Sequence, residues 1–175
     1  MRKILFFVTL ISALSFSVQA QKFKPLDKSP LDMIEYPSSG QKKVRVIYSR
    51  PQLRGRQIAD IVQVGELWRT GANESTEITF YESVTFGGKL ISPGSYTLYS
   101  IPNENQWTII INTATHSWGT YSYNESNDVA RVKVPVTESR KSVEALSMTF
   151  EKGADGVNLH IGWDDIRVSI PIKLG

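Results

Sequence analysis

The chain has 175 residues, no cysteine, and 20 Lys and Arg against 17 Asp and Glu. That is enough chain for one domain with a sizeable core, and the lack of cysteine excludes disulfides, thiolate metal sites and thiol nucleophiles. Arg2 and Lys3 supply much of the +3 net charge. Without them the balance is about +1, and no basic run interleaved with aromatics is present, so nucleic acid is not an expected partner.

Residues 1–20 have the layout of a secretory signal peptide. Arg2-Lys3 give a charged start, Ile4 to Leu14 are largely apolar, and Val18-Gln19-Ala20 resembles a small-residue cleavage site. Position 21 is Gln, which argues against a lipid-anchored lipoprotein. The expectation is an exported protein, periplasmic or secreted, with no membrane span in the mature chain. Residues 21–42 carry three prolines and a Ser-Ser-Gly, and read as an extended lead-in. Residues 43–175 read as a single β domain.

Lys43 to Ser49 alternates, with Val44, Val46 and Tyr48 on one face. Pro51 should end that ladder, having no N–H to donate. The next twenty-five or so residues hold Gly55, Gly65 and Gly71 and break the alternation; Arg56 to Val62 could form one or two helical turns. Alternation resumes over Thr76 to Phe86, with an irregularity near Glu82-Ser83. Gly87-Gly88 predicts a hairpin turn and Lys89 to Ile91 its return strand. Ser95 to Ile101 and Gln106 to Thr113 follow, the latter with Ile109-Ile110-Ile111, a run that suits a strand covered on both faces. Ala114 to Asn127 is a second long loop containing His116, Trp118, Tyr121 and Tyr123. Asp128 to Val136, Ser142 to Glu151, Gly156 to Trp163 and Ile166 to Ile172 alternate again, with Asp164-Asp165 expected as a tight turn. The fold class expected is all-β: an antiparallel β-sandwich of about nine strands with two long loops.

The stretch from Tyr48 to Glu77 holds the most suggestive chemistry. Arg50, Arg54, Arg56 and Arg69 are forked donors suited to carboxylate or phosphate. Glu66, Glu74 and Glu77 lie in the same stretch and could pair with them, pinning the loop without any ligand. Trp68 and Trp118 sit one in each long loop and could flank a cleft if those loops meet, or could equally be core beneath them. His116 and His160 are the only histidines, with no HxH or HExxH pair, so no metal is expected. No GxSxG elbow supports a serine hydrolase, and no cofactor motif is present. The Asn-x-Ser triplets at Asn73 and Asn124 read as chance matches.

Tyr48-Ser49-Arg50-Pro51, Arg54-Gly55-Arg56, Trp68-Arg69-Thr70-Gly71-Ala72-Asn73-Glu74, Gly94-Ser95-Tyr96-Thr97-Leu98-Tyr99 and Trp107-Thr108 together resemble a bacterial family, domain of unknown function 2911. The resemblance runs from about Val44 to Ile172. It implies an all-β fold and export in bacteria of the Bacteroidetes type, and it carries no established activity.

Three functions follow as expectations. The first is a pocket for a polar or anionic small ligand, of sugar or carboxylate class, with Arg50, Arg69, Asn73, Glu74 and His116 orienting it and Trp68 or Trp118 stacking on it. The second is a cell-envelope hydrolase with Glu74 as general base and Arg69 stabilising developing charge. The third is a scaffold domain in which the Arg-rich loop is only a packed latch.

Overall fold

The computed structural model describes residues 21–175; the leader expected over residues 1–20 lies outside the described residues. The fold is all-β. Its nine strands are β1 Leu31–Tyr36, β2 Val44–Ser49, β3 Glu77–Phe80, β4 Val84–Phe86, β5 Lys89–Ile91, β6 Gly94–Pro102, β7 Gln106–Asn112, β8 Asp128–Lys152 and β9 Gly156–Leu174. They form one antiparallel sheet in the order β1-β2-β3-β6-β7-β8-β9-β4-β5. The helical pieces among the described residues are two single 3-10 turns, Ile58–Asp60 and Glu125–Asn127. No helix among them is long and apolar enough to cross a membrane.

The alternation explains the strands. Val44, Val46 and Tyr48 of β2 are buried together with Ile78 and Phe80 of β3, and with Leu159, Ile161 and Trp163 of β9. These residues belong to one continuous cluster that also takes in Trp107, Phe86 and Ile172. Both ends of the sheet therefore turn their apolar faces into the same core. Ile109, Ile110 and Ile111 are all fully buried, as expected for a strand covered on both faces. Gly87 and Gly88 take φ of 56° and 79° at the β4–β5 hairpin, a pair of left-handed conformations that favours glycine at both positions.

β8 is the strand that makes a single sheet possible. Its first residues pair with β7, and its later ones pair with β9. The β9 pairing begins at Val136, and within it the register shifts on both sides of Val143. There the β8 backbone turns to the chain just after β2 instead: Leu53 N–H donates to Glu144 O at 3.0 Å, and Leu146 N–H donates to Pro51 O at 2.9 Å. Pro51 ends β2 as its missing N–H requires, but its carbonyl still serves the next ladder. Side chains complete the edge. The Arg50 Nε–H donates to Leu146 O at 2.9 Å and its Nη2 to Ser147 Oγ at 2.7 Å. The Met148 N–H donates to the Tyr48 hydroxyl at 2.9 Å. Asp32 of β1 accepts from both Tyr48 and Arg50.

Four details differ from the sequence reading. β1 lies inside the stretch read as an extended lead-in, because Met33 and Ile34 pair with Ile47 and Val46. Thr76 to Phe86 divides into two strands: the chain leaves β2 and β6 after Phe80 and joins β9 at Val84. β8 runs unbroken through the gap expected between Val136 and Ser142. Asp164-Asp165 is no turn but an interior point of β9, where Asp164 at φ 48° absorbs the irregularity and accepts a hydrogen bond from Ser142 Oγ at 2.8 Å.

Tyr48→Phe leaves the buried Met148 N–H without a partner, and Arg50→Ala does the same to Leu146 O. Each is expected to cost about 1–3 kcal/mol in urea unfolding. The double variant should lose less than the sum, since both side chains stitch the same two segments and share Asp32.

Candidate functional site

The two long loops meet. Ser75 N–H donates to Ser117 O at 2.9 Å and Gly119 N–H to Asn73 O at 3.2 Å. This two-rung ladder sets Glu74 opposite Trp118. Beside it lies a cleft of about 600 Å³. One wall is this paired lip, with Asn73, Glu74, Ser75, His116 and Trp118. The floor is the outer face of the sheet, where Leu31, Ile47 and Glu77 stand. The opposite wall is the lead-in, through Lys24, Asp27 and Ser29.

The local sequence explains the lip. Gly71 packs so closely under β2 that a Cβ would lie 3.0 Å from Ser49 O. Thr70 and Asn73 take φ of 54° and 58°. Asn tolerates that region, whereas a β-branched residue does not adopt it readily. Thr70 is held there by its surroundings: it is fully buried, its Oγ1 donates to Ser100 Oγ at 2.9 Å, and its carbonyl accepts from Thr76 Oγ1 at 2.9 Å. The Arg69 Nη1–H donates to Asn73 O at 2.9 Å, closing the turn. Under the second loop the hydroxyls of Tyr99, Ser117 and Ser75 form a chain, at 3.0 Å and 3.3 Å, and Ser75 Oγ donates onward to Gly119 O. Buried hydroxyls satisfied in this way fix the backbone between them.

The far end of the second loop is held by charge. Asp128 Oδ2 accepts from the Tyr123 hydroxyl at 2.8 Å and from Arg131 Nε at 2.8 Å, while Arg131 also reaches Glu125 at 3.1 Å. Burial, then the hydrogen bond and charge of Asp128, push the Tyr123 phenol up to about 12.

Of the seven residues the sequence marks for the site, four line the cleft: Asn73, Glu74, His116 and Trp118. Trp118 is 54% exposed, and Glu74 is exposed as well, its carboxylate in no hydrogen bond or ion pair with any described residue. His116 stands at φ 56°, its N–H donating to Glu77 Oε1 at 2.6 Å with its ring Nδ1 3.3 Å from the same oxygen. The other three lie elsewhere. Trp68 is buried, stacked on Trp163 at 5.8 Å and 13° and edge-on to Trp107 at 5.8 Å, with its Nε1–H donating to Gly71 O. It anchors the loop to the core and offers no face to a ligand. The Arg50 head is committed to β8, and the Arg69 head to Asn73 O. Sequence reasoning missed the lead-in wall. Asp27 Oδ1 accepts from Asn73 Nδ2 at 3.0 Å across the cleft and from Ser29 N–H at 2.7 Å, and these bonds hold the Asp27 carboxyl below its ordinary range.

Among the described residues no group of three or more His, Asp or Glu gathers where it could hold a metal ion. His160 stands elsewhere, its Nε2 3.2 Å from Glu151 beside a smaller groove of about 310 Å³, far in the chain from the loops that build the cleft.

Fold and site together define an all-antiparallel-β protein with a loop-built, aromatic-lipped cleft. The chain belongs to the family described as Protein of unknown function (DUF2911), whose model matches residues 29–172. No curated protein and no solved structure matches it.

Asn73→Gly keeps the positive φ and removes the amide that holds Asp27. It should speed trypsin cleavage after Lys28 with little change in stability, whereas Asn73→Ala should do both, losing about 1 kcal/mol more. Tyr123 favours its neutral form in the folded state, so the stability it contributes is full below pH 10 and is lost as pH rises toward 12. A tyrosinate absorbance titration should show Tyr123 among the late phenols, beside Tyr48, which burial also raises, and Asp128→Asn should bring Tyr123 back toward 10.

Proposed function

We propose that the cleft binds a polar small ligand of the sugar class, and that the protein does so outside the cytoplasm after export by its N-terminal leader. The observation that carries this reading is the half-exposed Trp118 indole held by main-chain pairing directly across from the unpartnered Glu74 carboxylate. A large aromatic face left open in a cleft is a surface awaiting a flat apolar partner. A free carboxylate beside it accepts hydrogen bonds from hydroxyl groups. A sugar ring presents both, a C–H face and a rim of hydroxyls. The floor is apolar at Leu31 and Ile47, and polar groups stand at the edges, the usual make-up of a small-molecule site.

The carboxylate class of ligand is less well served. The Arg50 guanidinium is taken by Leu146 O, Ser147 Oγ and the Asp32 carboxylate, the Arg69 guanidinium is directed to Asn73 O, and neither lines the cleft. The same observation weighs against a hydrolase, because the arginine that would stabilise developing negative charge beside Glu74 is drawn under the turn. The arginines do act as a latch, as the scaffold reading supposes, but they leave the cleft open.

Trp68, Trp107 and Trp163 are buried, so Trp118 dominates the tryptophan emission accessible to a neutral quencher. Acrylamide quenching across a panel of neutral, amine-bearing and acidic oligosaccharides should fall when a member binds. Trp118→Ala should abolish binding, by tenfold or more, while leaving the unfolding midpoint within about 1 °C. If no member of the panel protects Trp118, or if Trp118→Ala binds as the wild type does, this reading is wrong.

A further inference from the structure

The charge of the cleft narrows its ligand further, in an inference that rests on the reading above. Three carboxyl groups line the cleft, Asp27, Glu74 and Glu77, one from each of its walls and floor. Lys24 is the single lysine or arginine among the lining residues, and His116 is the only other basic group there. Each carboxylate has a different degree of engagement. Asp27 is bonded to Ser29 and Asn73, both neutral donors, with the charge of Lys28 near it but no ion pair formed. Glu77 uses Oε1 for the backbone and ring of His116. Glu74 has neither hydrogen bond nor ion pair with any described residue. The nearby guanidinium groups of Arg50 and Arg69 are engaged elsewhere and do not line the cleft. Negative charge therefore surrounds an exposed indole, and both favour a cation: carboxylates by Coulomb attraction, and the indole face by its quadrupole.

We infer that the cleft selects a ligand carrying an amine, an amino sugar or amine-bearing saccharide rather than a neutral or acidic one, with the ammonium beside Glu74 and the ring on Trp118. The amine donates up to three hydrogen bonds, which suits an acceptor-only carboxylate lacking any partner among the described residues. A uronic acid would instead place its charge among three like charges.

The test uses three β-1,4-linked trimers that share a backbone and differ in charge: glucosamine, glucose and glucuronic acid. Binding is measured by Trp118 quenching and calorimetry at about pH 6, where the amines are protonated. The glucosamine trimer should bind on the order of fivefold tighter than the glucose trimer at low salt, and the glucuronic acid trimer more weakly than either. The preference should shrink in high salt, and Glu74→Gln should bring the glucosamine and glucose trimers close to parity. Neutral and cationic trimers binding alike, in a Trp118-dependent manner, would overturn the charge preference and leave the sugar-class reading standing. A preference unchanged in Glu74→Gln would overturn the placement of the amine. Failure of all three trimers to bind would overturn both.

Discussion

A strand that changes partners must find new partners for its backbone, and β8 does this in the middle of the fold. Between its β9-paired stretches, Val136 to Glu138 and Ser147 to Lys152, Glu144 and Leu146 bond to the chain around Pro51. Beyond that, Arg50 and Tyr48 supply side-chain groups where a neighbouring strand would have supplied main chain. Buried peptide groups left without partners would cost a few kcal/mol each, so the crossover stands only while these substitutes are in place. Asp32 joins Tyr48 and Arg50 from β1 and ties the edge strand to the same junction. The Tyr-Ser-Arg-Pro sequence is thus an architectural device: alternate residues reach β8, and the proline stops β2 where the next ladder begins.

The site depends on this junction at one remove. Ser49, at the end of β2, offers its carbonyl to the close approach of Gly71. From there the chain makes two left-handed residues, Thr70 and Asn73, within one turn, and His116 makes a third in the facing loop. Conformations of this kind persist only where their surroundings over-determine them. Here the surroundings are a buried set of hydroxyls from Thr70, Ser75, Thr76, Ser100 and Ser117 beneath the lip. The result is a rigid rim, with the chemically open groups, Glu74 and Trp118, on its outer side.

The sequence showed the strand character of the chain, the two long loops and the residues of the Trp-Arg-Thr-Gly-Ala-Asn-Glu turn. It could not show how the strands divide. β1 was hidden because a six-residue edge strand between prolines has too little alternation to stand out, and only pairing with β2 reveals it. The fusion of Ser142 to Glu151 with the preceding strand was hidden because the bulge at Val143 disturbs the period of two. Trp68 and Trp118 were indistinguishable as aromatic loop residues. The contacts that separate them, Trp163 and Trp107 against Trp68, come from strands about 40 to 95 residues away. Arg50 and Arg69 looked like ligand donors for the same reason: a guanidinium bonded to a backbone carbonyl and one facing a cleft have the same local sequence. The lead-in wall left no sign, since Asp27 meets Asn73 across 46 positions.

The lip of the cleft is registered by main-chain hydrogen bonds, Ser75 to Ser117 and Gly119 to Asn73, and by glycine geometry at Gly71. None of these bonds involves the side chains of Glu74 or Trp118. The two positions that face the cleft can therefore change identity while the rim that presents them keeps its shape. In evolutionary terms the frame and the vocabulary are separable. A substitution at either place changes what the cleft offers without disturbing the crossover or the Gly71 contact, so the shared architecture of a fold is no guide to what its sites do.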